Sequence, residues 1–423
     1  MDFASQGEER MKILMVNKFF YIKGGSETYY FALKRLLEAK GHTVIDFSMK
    51  NEKNFDSPYR EYFVEAVDYN GGMSRKQQLK AARNIIYSTE AKHKLEKLIQ
   101  DTKPDIAHLH IFQHQLSPSI LDVLKKYDIP TVYTAHDLKM LCLNYVMMTH
   151  GQLCEKCKGG HYLNCLKKKC VKNSALKSSI NVLEGYLHKW RKSYDAIDVI
   201  LTPSMFYKNK FLDFGIDKER VYHLPNFLDR ECPEVETAQD KEQYFLYFGR
   251  LSAEKGILTL IKAVKNTKNH LYIAGTGPCL EEIEQYLKEY NMTNVKLLGF
   301  KSGKELIDIV GNARAVILPS EWYENGPYSA IESLQLGRPV IGSELGGIPE
   351  LIDGNGKVFR HGDVEALREI LEQFPSPETS DYQRYCRRSK EIFAKNYMAE
   401  GHYEKLLPMY EKAMQKHGNE RSL

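Results

Sequence analysis

The sequence predicts an α/β protein with two doubly wound domains, each a parallel sheet covered by crossover helices. Short apolar segments alternate with longer helical segments along most of the chain, which is the pattern of strands joined by helices. The chain has 423 residues, too many for a single hydrophobic core. Residues 229–243 are rich in Glu, Asp, Gln and Pro, so we interpret them as the linker between the domains.

The first predicted domain covers residues 1–228 and opens with the apolar strand KILMVN at 12–17. A glycine-rich loop follows, then a helix from about Glu27 to Lys40 with apolar side chains on one face and Gly41 after its end. The other predicted elements are a polar helical stretch at about 75–100 and the strands TVIDF (43–47), DIAHLH (105–110), PTVYTAH (130–136) and DVILTPS (198–204).

The second predicted domain covers residues 244–398 and has the same rhythm of strands and helices, without an obvious sequence repeat. Ser302 and Glu305 have the spacing of a capping box, which predicts a helix start. Residues 399–423 are predicted to form a last helix. The strands of this domain are YFLYFG (244–249), HLYIAG (270–275), VKLLGF (295–300), AVILPS (315–320) and PVIGSE (339–344).

Charge and hydropathy exclude several classes of protein. The formal net charge of +5 is a mild excess that does not by itself imply nucleic acid, so none is expected as a partner. No apolar run approaches the ~20 residues that span a bilayer. The apolar segment at 13–16 is short and lacks the features of a signal peptide. We therefore expect a cytoplasmic protein.

Two glutamates in the segment PSEWYENGPYSAIESLQLGRPVIGSELGGIPE are the strongest indication of function. Glu324 is predicted in the loop at the carboxyl end of a strand, and Glu332 about two turns into the next helix. Pro327 suits the first helical position, and Asn325 or Gly326 suits the cap. Ligands bind at the carboxyl ends of strands in an open α/β sheet, and a helix start attracts anions.

Basic residues and glycines follow two other strands of the second domain. Arg250 and Lys255 lie in FGRLSAEKG, where Arg suits bidentate contact with phosphate and Lys acts as a point charge. Two solvated side chains on a loop are the alternative. Gly275 and Gly277 would let the backbone approach a ligand, or they serve the turn alone. The same alternatives hold for Gly346, Gly347 and Glu350 in a later loop.

The first domain offers a similar arrangement. Gly24 and Gly25 follow the first strand and precede a helix, so their N–H groups could face a phosphate. His136 and Asp137 end a strand and are predicted to point into a ligand site rather than to be buried for structure. Three further histidines suggest a metal by type, but they fit an acceptor-site edge or ordinary sheet positions better: His108, His110 and His114.

Together these motifs resemble those of the retaining GT-B glycosyltransferases of family GT4, over nearly the whole chain. The resemblance rests on the E-x7-E pair Glu324 and Glu332, on the G-R-x-x-x-x-K-G segment of Arg250 and Lys255, and on the G-G-x-E of the first domain. It implies two Rossmann-like domains facing each other across a cleft, with the helix at Tyr403 to Met414 crossing back onto the first domain. It also implies that a sugar moves from a nucleotide donor to a glycan or glycolipid hydroxyl with retention, in surface polysaccharide biosynthesis.

The resemblance also assigns roles to residues. Glu324 would orient the sugar and steady positive charge, His136 would approach the sugar hydroxyls, and Arg250 and Lys255 would bind the diphosphate without any catalytic cofactor. Glu27 and Asp137 would lie on the acceptor side. The donor-binding set would be Gly24, Gly25, Arg250, Lys255, Gly275, Gly277, Asn325, Gly326, Pro327, Tyr328 and Glu332. Asn325, Gly326 and Pro327 stand where many relatives have Phe-Gly, and Ser333 where many have Ala, so the shape of the sugar pocket stays open.

An insert at 138–175 contains five of the eight cysteines. Reduced thiols are expected in a cytoplasmic protein, so we favour a structural zinc ion over disulfides. Free thiols or an oxidised pair are the alternative, and some relatives carry a similar insert. The predicted ligands are Cys154, Cys157, Cys165 and Cys170, with Cys142, His150 or His161 as substitutes.

The insert and the helix after it are strongly basic, with Tyr186 and Trp190 among the lysines. Such a surface suits anionic lipid at the inner face of the cytoplasmic membrane, or a lipid-diphosphate acceptor. A solvated helix face is the alternative. Three rival functions are a sugar-nucleotide 2-epimerase of the same architecture, a zinc-stabilised nucleic-acid-binding protein and an inactive nucleotide-binding module.

Overall fold

The computed structural model describes residues 10–66, 82–235 and 243–420. These residues form two compact units. The first unit takes its residues from Met1–Pro203, Lys208–Leu224 and Tyr403–Leu423, and the second from Ser204–Tyr207 and Pro225–His402. From Pro225 to His402 the chain lies in the second unit, whereas the sequence interpretation ended the first domain at 228.

The first unit is built on a six-stranded parallel sheet with the strand order β2-β1-β3-β4-β7-β8. Strands β1, β3, β4 and β7 are apolar and buried because helices cover both faces of a parallel sheet. A two-stranded antiparallel hairpin, β5 and β6, lies in the cysteine-containing insert. The strands are β1 Lys12–Val16, β2 Thr43–Phe47, β3 Ile106–Leu109, β4 Thr131–Thr134, β5 Met148–Thr149, β6 Gln152–Leu153, β7 Val199–Thr202 and β8 Val221–His223.

Several helices of this unit begin at side-chain caps. Ser88 accepts a hydrogen bond from the N–H of Ala91, and Ser174 accepts one from the N–H of Lys177. The helical stretch predicted at 75–100 corresponds to a helical segment at 82–86 and to α2, and its start at 75–81 falls outside the described residues. The helices are α1 Gly25–Ala39, α2 Thr89–Thr102, α3 Ser119–Lys126, α4 Leu163–Lys167, α5 Ala175–Trp190 and α6 Met205–Asp213. The first residues of α6, up to Tyr207, belong to the second unit.

The second unit also has a six-stranded parallel sheet, with the order β11-β10-β9-β12-β13-β14. Its helices pack on the sheet and form hydrophobic clusters with it. The strands are β9 Tyr244–Phe248, β10 His270–Ala274, β11 Val295–Gly299, β12 Ala315–Leu318, β13 Val340–Ser343 and β14 Gly356–Phe359. The helices are α7 Ile257–Val264, α8 Leu280–Glu289, α9 Gly303–Gly311, α10 Tyr328–Gln335, α11 Val364–Glu372 and α12 Ser380–Asn396.

The last helix, α13, runs from Ala399 to Glu420. From Tyr403 onward it belongs to the first unit, where the Tyr403 hydroxyl lies 2.8 Å from Nε2 of His42 and the Tyr410 hydroxyl 2.8 Å from Nδ1 of His108. Short 3₁₀ turns complete the fold: Arg60–Tyr62, Lys158–Gly160, Ser193–Ala196, Lys218–Arg220, Ala253–Lys255 and Pro349–Leu351. Among the described residues, none of the helices combines the length and apolar character that a bilayer crossing requires.

Three local predictions need correction. Two edge strands were missed, because β8 is only three residues long and β14 is half-exposed with no apolar run. The helix after Ser302 begins as predicted, but the Ser302 side chain makes no capping hydrogen bond and Glu305 pairs with Lys301 instead. Pro327 occupies the cap position, with extended backbone angles, and α10 begins one residue later at Tyr328.

The strand order places a topological switch point in each sheet. In the first unit the chain adds strands first on one side of β1 and then on the other, so the switch point lies between β1 and β3. In the second unit it lies, for the same reason, between β9 and β12. The carboxyl ends of these strand pairs are where an open α/β sheet forms a ligand crevice. The loops that carry Arg250 and Glu324 follow β9 and β12, so they meet at the switch point of the second unit.

Candidate active site

The carboxylate of Glu324 lies at the switch point of the second unit. It is only 6 % exposed, and its Oε1 atom accepts three hydrogen bonds. Lys255 Nζ lies 2.5 Å away, Ser320 Oγ 2.7 Å and Trp322 Nε1 2.8 Å. All three donors bind the same oxygen, which leaves Oε2 as the oxygen available to a ligand hydroxyl.

The pKa of Glu324 shows which effect dominates there. Burial alone would raise the pKa, but the Lys255 ammonium and the hydroxyl and indole donors outweigh it, so the pKa is lowered from its ordinary value. Glu324 is therefore ionised at neutral pH. Ser320 and Trp322 were not predicted as site residues, although both lie within four positions of Glu324 in the same sequence segment.

Two glycines allow loops to close around this pair. A Cβ atom on Gly256, next to Lys255, would come within 1.9 Å of the Pro319 carbonyl oxygen. A Cβ on Gly346 would come within 2.3 Å of the carbonyl oxygen of Glu324, and the N–H of Gly347 donates to that oxygen at 2.7 Å. Both glycines have φ near +65°, which other residues rarely adopt. The loop after β13 thus fixes the backbone of Glu324.

Gly346→Ala is expected to destabilise the protein by about 2 kcal/mol or more and to reduce turnover, because strain at positive φ adds to a clash with the backbone of Glu324. Chemical denaturation measures the first effect and a turnover assay the second. Gly362→Ala is the matched control, since Gly362 has φ +72° with no atom within 4 Å of its Cβ position. Equal losses in the two variants would show that the contact with Glu324 does not matter.

Glu332 lies in the second turn of α10 and is paired with a residue outside the predicted site. Arg230 Nη2 approaches Glu332 Oε1 at 3.3 Å. Burial raises the pKa of Glu332, and Arg230 opposes that shift. Arg230 belongs to the segment interpreted as linker, where no pattern in the sequence distinguished it. A ligand hydroxyl that binds Glu332 would have to share the carboxylate with this guanidinium.

Arg250 and the predicted glycine turn lie close together at the ends of β9 and β10. The side chain of Arg250 is exposed. A Cβ on Gly275 would come within 1.9 Å of the Gly249 carbonyl oxygen, and one on Gly277 within 2.2 Å of that of Leu251. These glycines therefore let two neighbouring loops pack together, and this packing positions the backbone of Arg250.

The loop between Glu324 and α10 is held by contacts within the second unit. The Ser204 hydroxyl donates to Asn325 Oδ1 at 3.1 Å, and Asn226 Nδ2 donates to the Gly326 carbonyl at 2.9 Å. Glu350 caps α6, because its two carboxylate oxygens accept the N–H groups of Met205 and Phe206 at 2.8 and 2.7 Å. The cap supplies a structural role for Glu350.

In the first unit, Gly24 is the N-cap of α1 and Gly25 its first residue, so the helix begins earlier than the predicted start at Glu27. Contact of their N–H groups with a phosphate stays a prediction. Glu27 is buried, accepts a hydrogen bond from Ser26 at 2.9 Å, and has a pKa raised mainly by burial. Burial also raises the pKa of Asp137 and lowers that of Lys18, and these two charges attract each other. Lys18 was not among the predicted residues.

The histidines at the ends of β3 and β4 form a buried row. His110 Nδ1 lies 3.1 Å from His136 Nε2, and His108 Nε2 lies 2.8 Å from the Thr134 hydroxyl. Burial lowers the pKa of His136 to about 3 and that of His110 well below its usual range. Both rings are therefore neutral at pH 7, and one donates to the other. His114 lies apart, with Nε2 3.9 Å from Glu184 Oε2.

A buried ion pair joins the loop after Asp137 to helix α5. Lys139 Nζ donates to Glu184 Oε2 at 2.9 Å, to Asn181 Oδ1 at 2.8 Å and to the Leu143 carbonyl at 3.0 Å. Its three N–H donors are thus all used. Neither residue was predicted, because a single lysine and a single glutamate 45 positions apart give no signal in the sequence.

The five cysteines of the insert line one cavity of about 10 Å³. Burial and the neighbouring thiols raise the pKa of Cys157 to about 12, and the same causes raise that of Cys165. All eight cysteines are unbridged. Within the residues that the structure describes, no three His, Cys, Asp or Glu side chains are arranged to hold a metal ion, so structural zinc on Cys154, Cys157, Cys165, Cys170 or Cys142 stays a prediction.

Comparison with known proteins supplies the family. The model of Glycosyltransferase Family 4 matches residues 23–231, and that of Glycosyl transferases group 1 matches residues 229–391. The chain belongs to this glycosyltransferase family. The predicted membership of the GT4 glycosyltransferases is therefore confirmed, and the two parallel-sheet units are those of the GT-B fold. The roles assigned to Glu324, Glu332, Arg250 and Lys255, and retention, stay predictions.

Individual relatives of this glycosyltransferase are distant. It is 24 % identical over 405 residues to an uncharacterised 42.6 kDa protein in the cps region of Klebsiella pneumoniae, covering 92 % of this chain and 98 % of the relative. It is 24 % identical to the putative colanic acid biosynthesis glycosyltransferase WcaL of Escherichia coli, covering 51 % of this chain and 56 % of WcaL. The Anabaena HepE structure in complex with UDP-glucose has a TM-score of 0.62 at 16 % identity, covering 95 % of this chain and 99 % of HepE.

Proposed function

We propose that this glycosyltransferase moves a sugar from a nucleoside diphosphate sugar to a hydroxyl of a growing glycan or glycolipid, in polysaccharide biosynthesis. The ion pair of Glu324 and Lys255 at the switch point, with Arg250 on the loop of Lys255, carries this proposal. A buried carboxylate paired with Lys255, with Arg250 exposed on the same loop as Lys255, suits a ligand that combines sugar hydroxyls with a diphosphate. The complexes of HepE with UDP and UDP-glucose, and the name of WcaL, give further support.

The two cations would stabilise the leaving group. The bond between the anomeric carbon and the distal phosphate oxygen breaks, and its electrons leave with the nucleoside diphosphate. Arg250 is exposed and can hold phosphate in bidentate fashion, while Lys255 uses one N–H donor on Glu324 and keeps two for phosphate oxygens. No metal is required in this scheme, because the cations meet the charge that develops.

We propose further that the configuration of the donor is retained by transfer on one face of the sugar. The three hydrogen bonds to Oε1 lower the pKa of Glu324, which makes this carboxylate a weak covalent nucleophile at either oxygen. Its negative charge instead steadies the positive charge on the sugar ring. The acceptor oxygen then bonds to the anomeric carbon on the side that the phosphate leaves, and its proton passes to the leaving phosphate oxygen.

UDP, GDP or ADP at about 100 times its dissociation constant should stabilise the protein by about 2.7 kcal/mol. This corresponds to a rise of roughly 5–10 °C in melting temperature for a domain of this size. Arg250→Ala should weaken the binding of the selected nucleotide at least tenfold, because a phosphate contact is lost. A thermal-shift titration measures both.

Arg384→Ala is the matched control, since Arg384 is an exposed arginine of the same unit that pairs with Asp381. Equal effects of the two substitutions would contradict a diphosphate site at Arg250. Absence of any shift with all three nucleotides would contradict the proposed donor. Retention is tested separately, by the NMR coupling constant of the anomeric proton in the product. The matches found for the chain give no support to the epimerase or nucleic-acid alternatives.

A further inference from the structure

Helix α5 has an unusual distribution of polar and apolar side chains. Its buried face is mostly polar, with Val182 as the one apolar residue among its fully buried side chains, and the polar residues are held by hydrogen bonds within the unit. Asn181 and Glu184 bind Lys139, the Ser178 hydroxyl accepts the N–H of Val171, and the ring of His188 contacts Ser193 and the Ile86 carbonyl. An ordinary surface helix presents its apolar stripe to the core and its polar face to water.

The opposite face of α5 is apolar and faces solvent. Leu176 is 66 % exposed, Leu183 61 % and Trp190 80 %. These residues are seven positions apart, so they lie along one side of the helix. Ile180 and Leu187 lie between them on the same side and are half-buried, and Tyr186 is exposed at its edge. The described residues of this unit thus leave uncovered a continuous apolar stripe about four turns long.

Exposed apolar stripes of this size are binding surfaces, and the surrounding charges indicate what binds. Between His161 and Ser193 the chain has eight lysines and arginines and a single acidic residue, Glu184, which is buried. Lys177 and Lys192 flank the two ends of α5. Two copies of this surface would repel each other, whereas an anionic surface would be attracted.

We propose that α5 docks on the surface of an anionic lipid bilayer. The leucines and Trp190 enter the boundary between headgroups and acyl chains, and the lysines and arginines around them bind lipid phosphates. Trp190, at the last position of the helix, has the amphipathic ring that favours this boundary. Because Lys139 joins the inner face of α5 to the loop after Asp137, docking would bring the predicted acceptor side close to lipid-linked acceptors.

Vesicle flotation with the full chain tests this proposal without requiring catalysis. Binding is expected to vesicles of phosphatidylcholine with phosphatidylglycerol, and to be much weaker with phosphatidylcholine alone. Leu176→Ser/Leu183→Ser/Trp190→Ser should lower the partition coefficient by about tenfold or more, since the apolar anchor is lost. Lys177→Gln and Lys192→Gln should each lower it by about fivefold.

Phe300→Ser is the matched control for removal of an exposed aromatic ring, since Phe300 is 73 % exposed in the second unit. Its partition coefficient should equal that of the unchanged protein. Melting temperatures of the helix variants should stay unchanged, because the substituted side chains make few contacts. Absence of binding to anionic vesicles, or equal binding by the triple variant, would overturn the proposal. The proposal would also be overturned if sedimentation showed a dimer that dissociates only in the triple variant, because a second copy of the chain would then cover the stripe.

Discussion

Glu324→Gln is expected to lower kcat by roughly 10²–10³-fold and to leave the fold intact. Glutamine has the same size, and its Oε1 can still accept from Lys255, Ser320 and Trp322. The substitution removes the negative charge that would steady the sugar as the diphosphate leaves. Release of nucleoside diphosphate from the donor that the thermal-shift titration selects measures the effect.

The partner substitution separates a catalytic role of Glu324 from a structural one. Lys255→Met should destabilise the protein by about 3 kcal/mol, because it leaves a buried carboxylate without its cation. The double variant Glu324→Gln/Lys255→Met should regain most of that stability, since no buried charge is left, but it should stay inactive. A fully active Glu324→Gln variant would remove Glu324 from the proposed mechanism.

The same pair predicts a dependence on pH. The pKa of Glu324 is lowered in the folded state, so its contribution to stability is complete above the unfolded-state pKa, about 4.3. It is lost as the pH falls through the lower, folded-state pKa. In Lys255→Met the pKa shift is expected to reverse, because burial then acts on the carboxylate without the ammonium, so acidification should restore stability as Glu324 takes up a proton.

Much of the fold could be predicted, because strands buried on both faces are written as continuous apolar segments such as KILMV and AVIL. The strand order could not be predicted, since nothing in a strand's own residues names its neighbours. That order is what brings the loops of Lys255 and Glu324 together. The short strand Val221–His223 gave no signal, because three residues are too few for a pattern.

The candidate site likewise contains residues that could be predicted from the sequence and residues that could not. Glu324 and Lys255 could be predicted because each belongs to a motif, and the structure places them 2.5 Å apart. Arg230 could not be predicted, since its partner Glu332 is 102 positions away and the sequence around Arg230 has the composition of a linker. Gly346 was expected to let the backbone approach a ligand. The structure shows instead that the backbone of Glu324 occupies the space where a side chain of residue 346 would lie.

Lys139→Met is expected to lower the free energy of unfolding by about 3–5 kcal/mol. Both members of the pair are nearly inaccessible to solvent, with side-chain exposures of 4 % for Lys139 and 3 % for Glu184. Removal of the ammonium would leave the Glu184 carboxylate and the Asn181 amide buried without their donor. Urea denaturation measures the change, and it should exceed that of Lys177→Met, since Lys177 is an exposed lysine on α5, the helix that carries Glu184.

A second variant distinguishes loss of the ion pair from loss of the lysine side chain as such. Lys139→Met/Glu184→Leu replaces both charges with apolar groups of similar size and should recover most of the stability. Since Lys139 fastens the inner face of α5, Lys139→Met should also weaken vesicle binding, and the double variant should restore it. If both variants kept full stability, the polar inner face would not hold α5 in place. The outward position of Leu176, Leu183 and Trp190 would then need another cause.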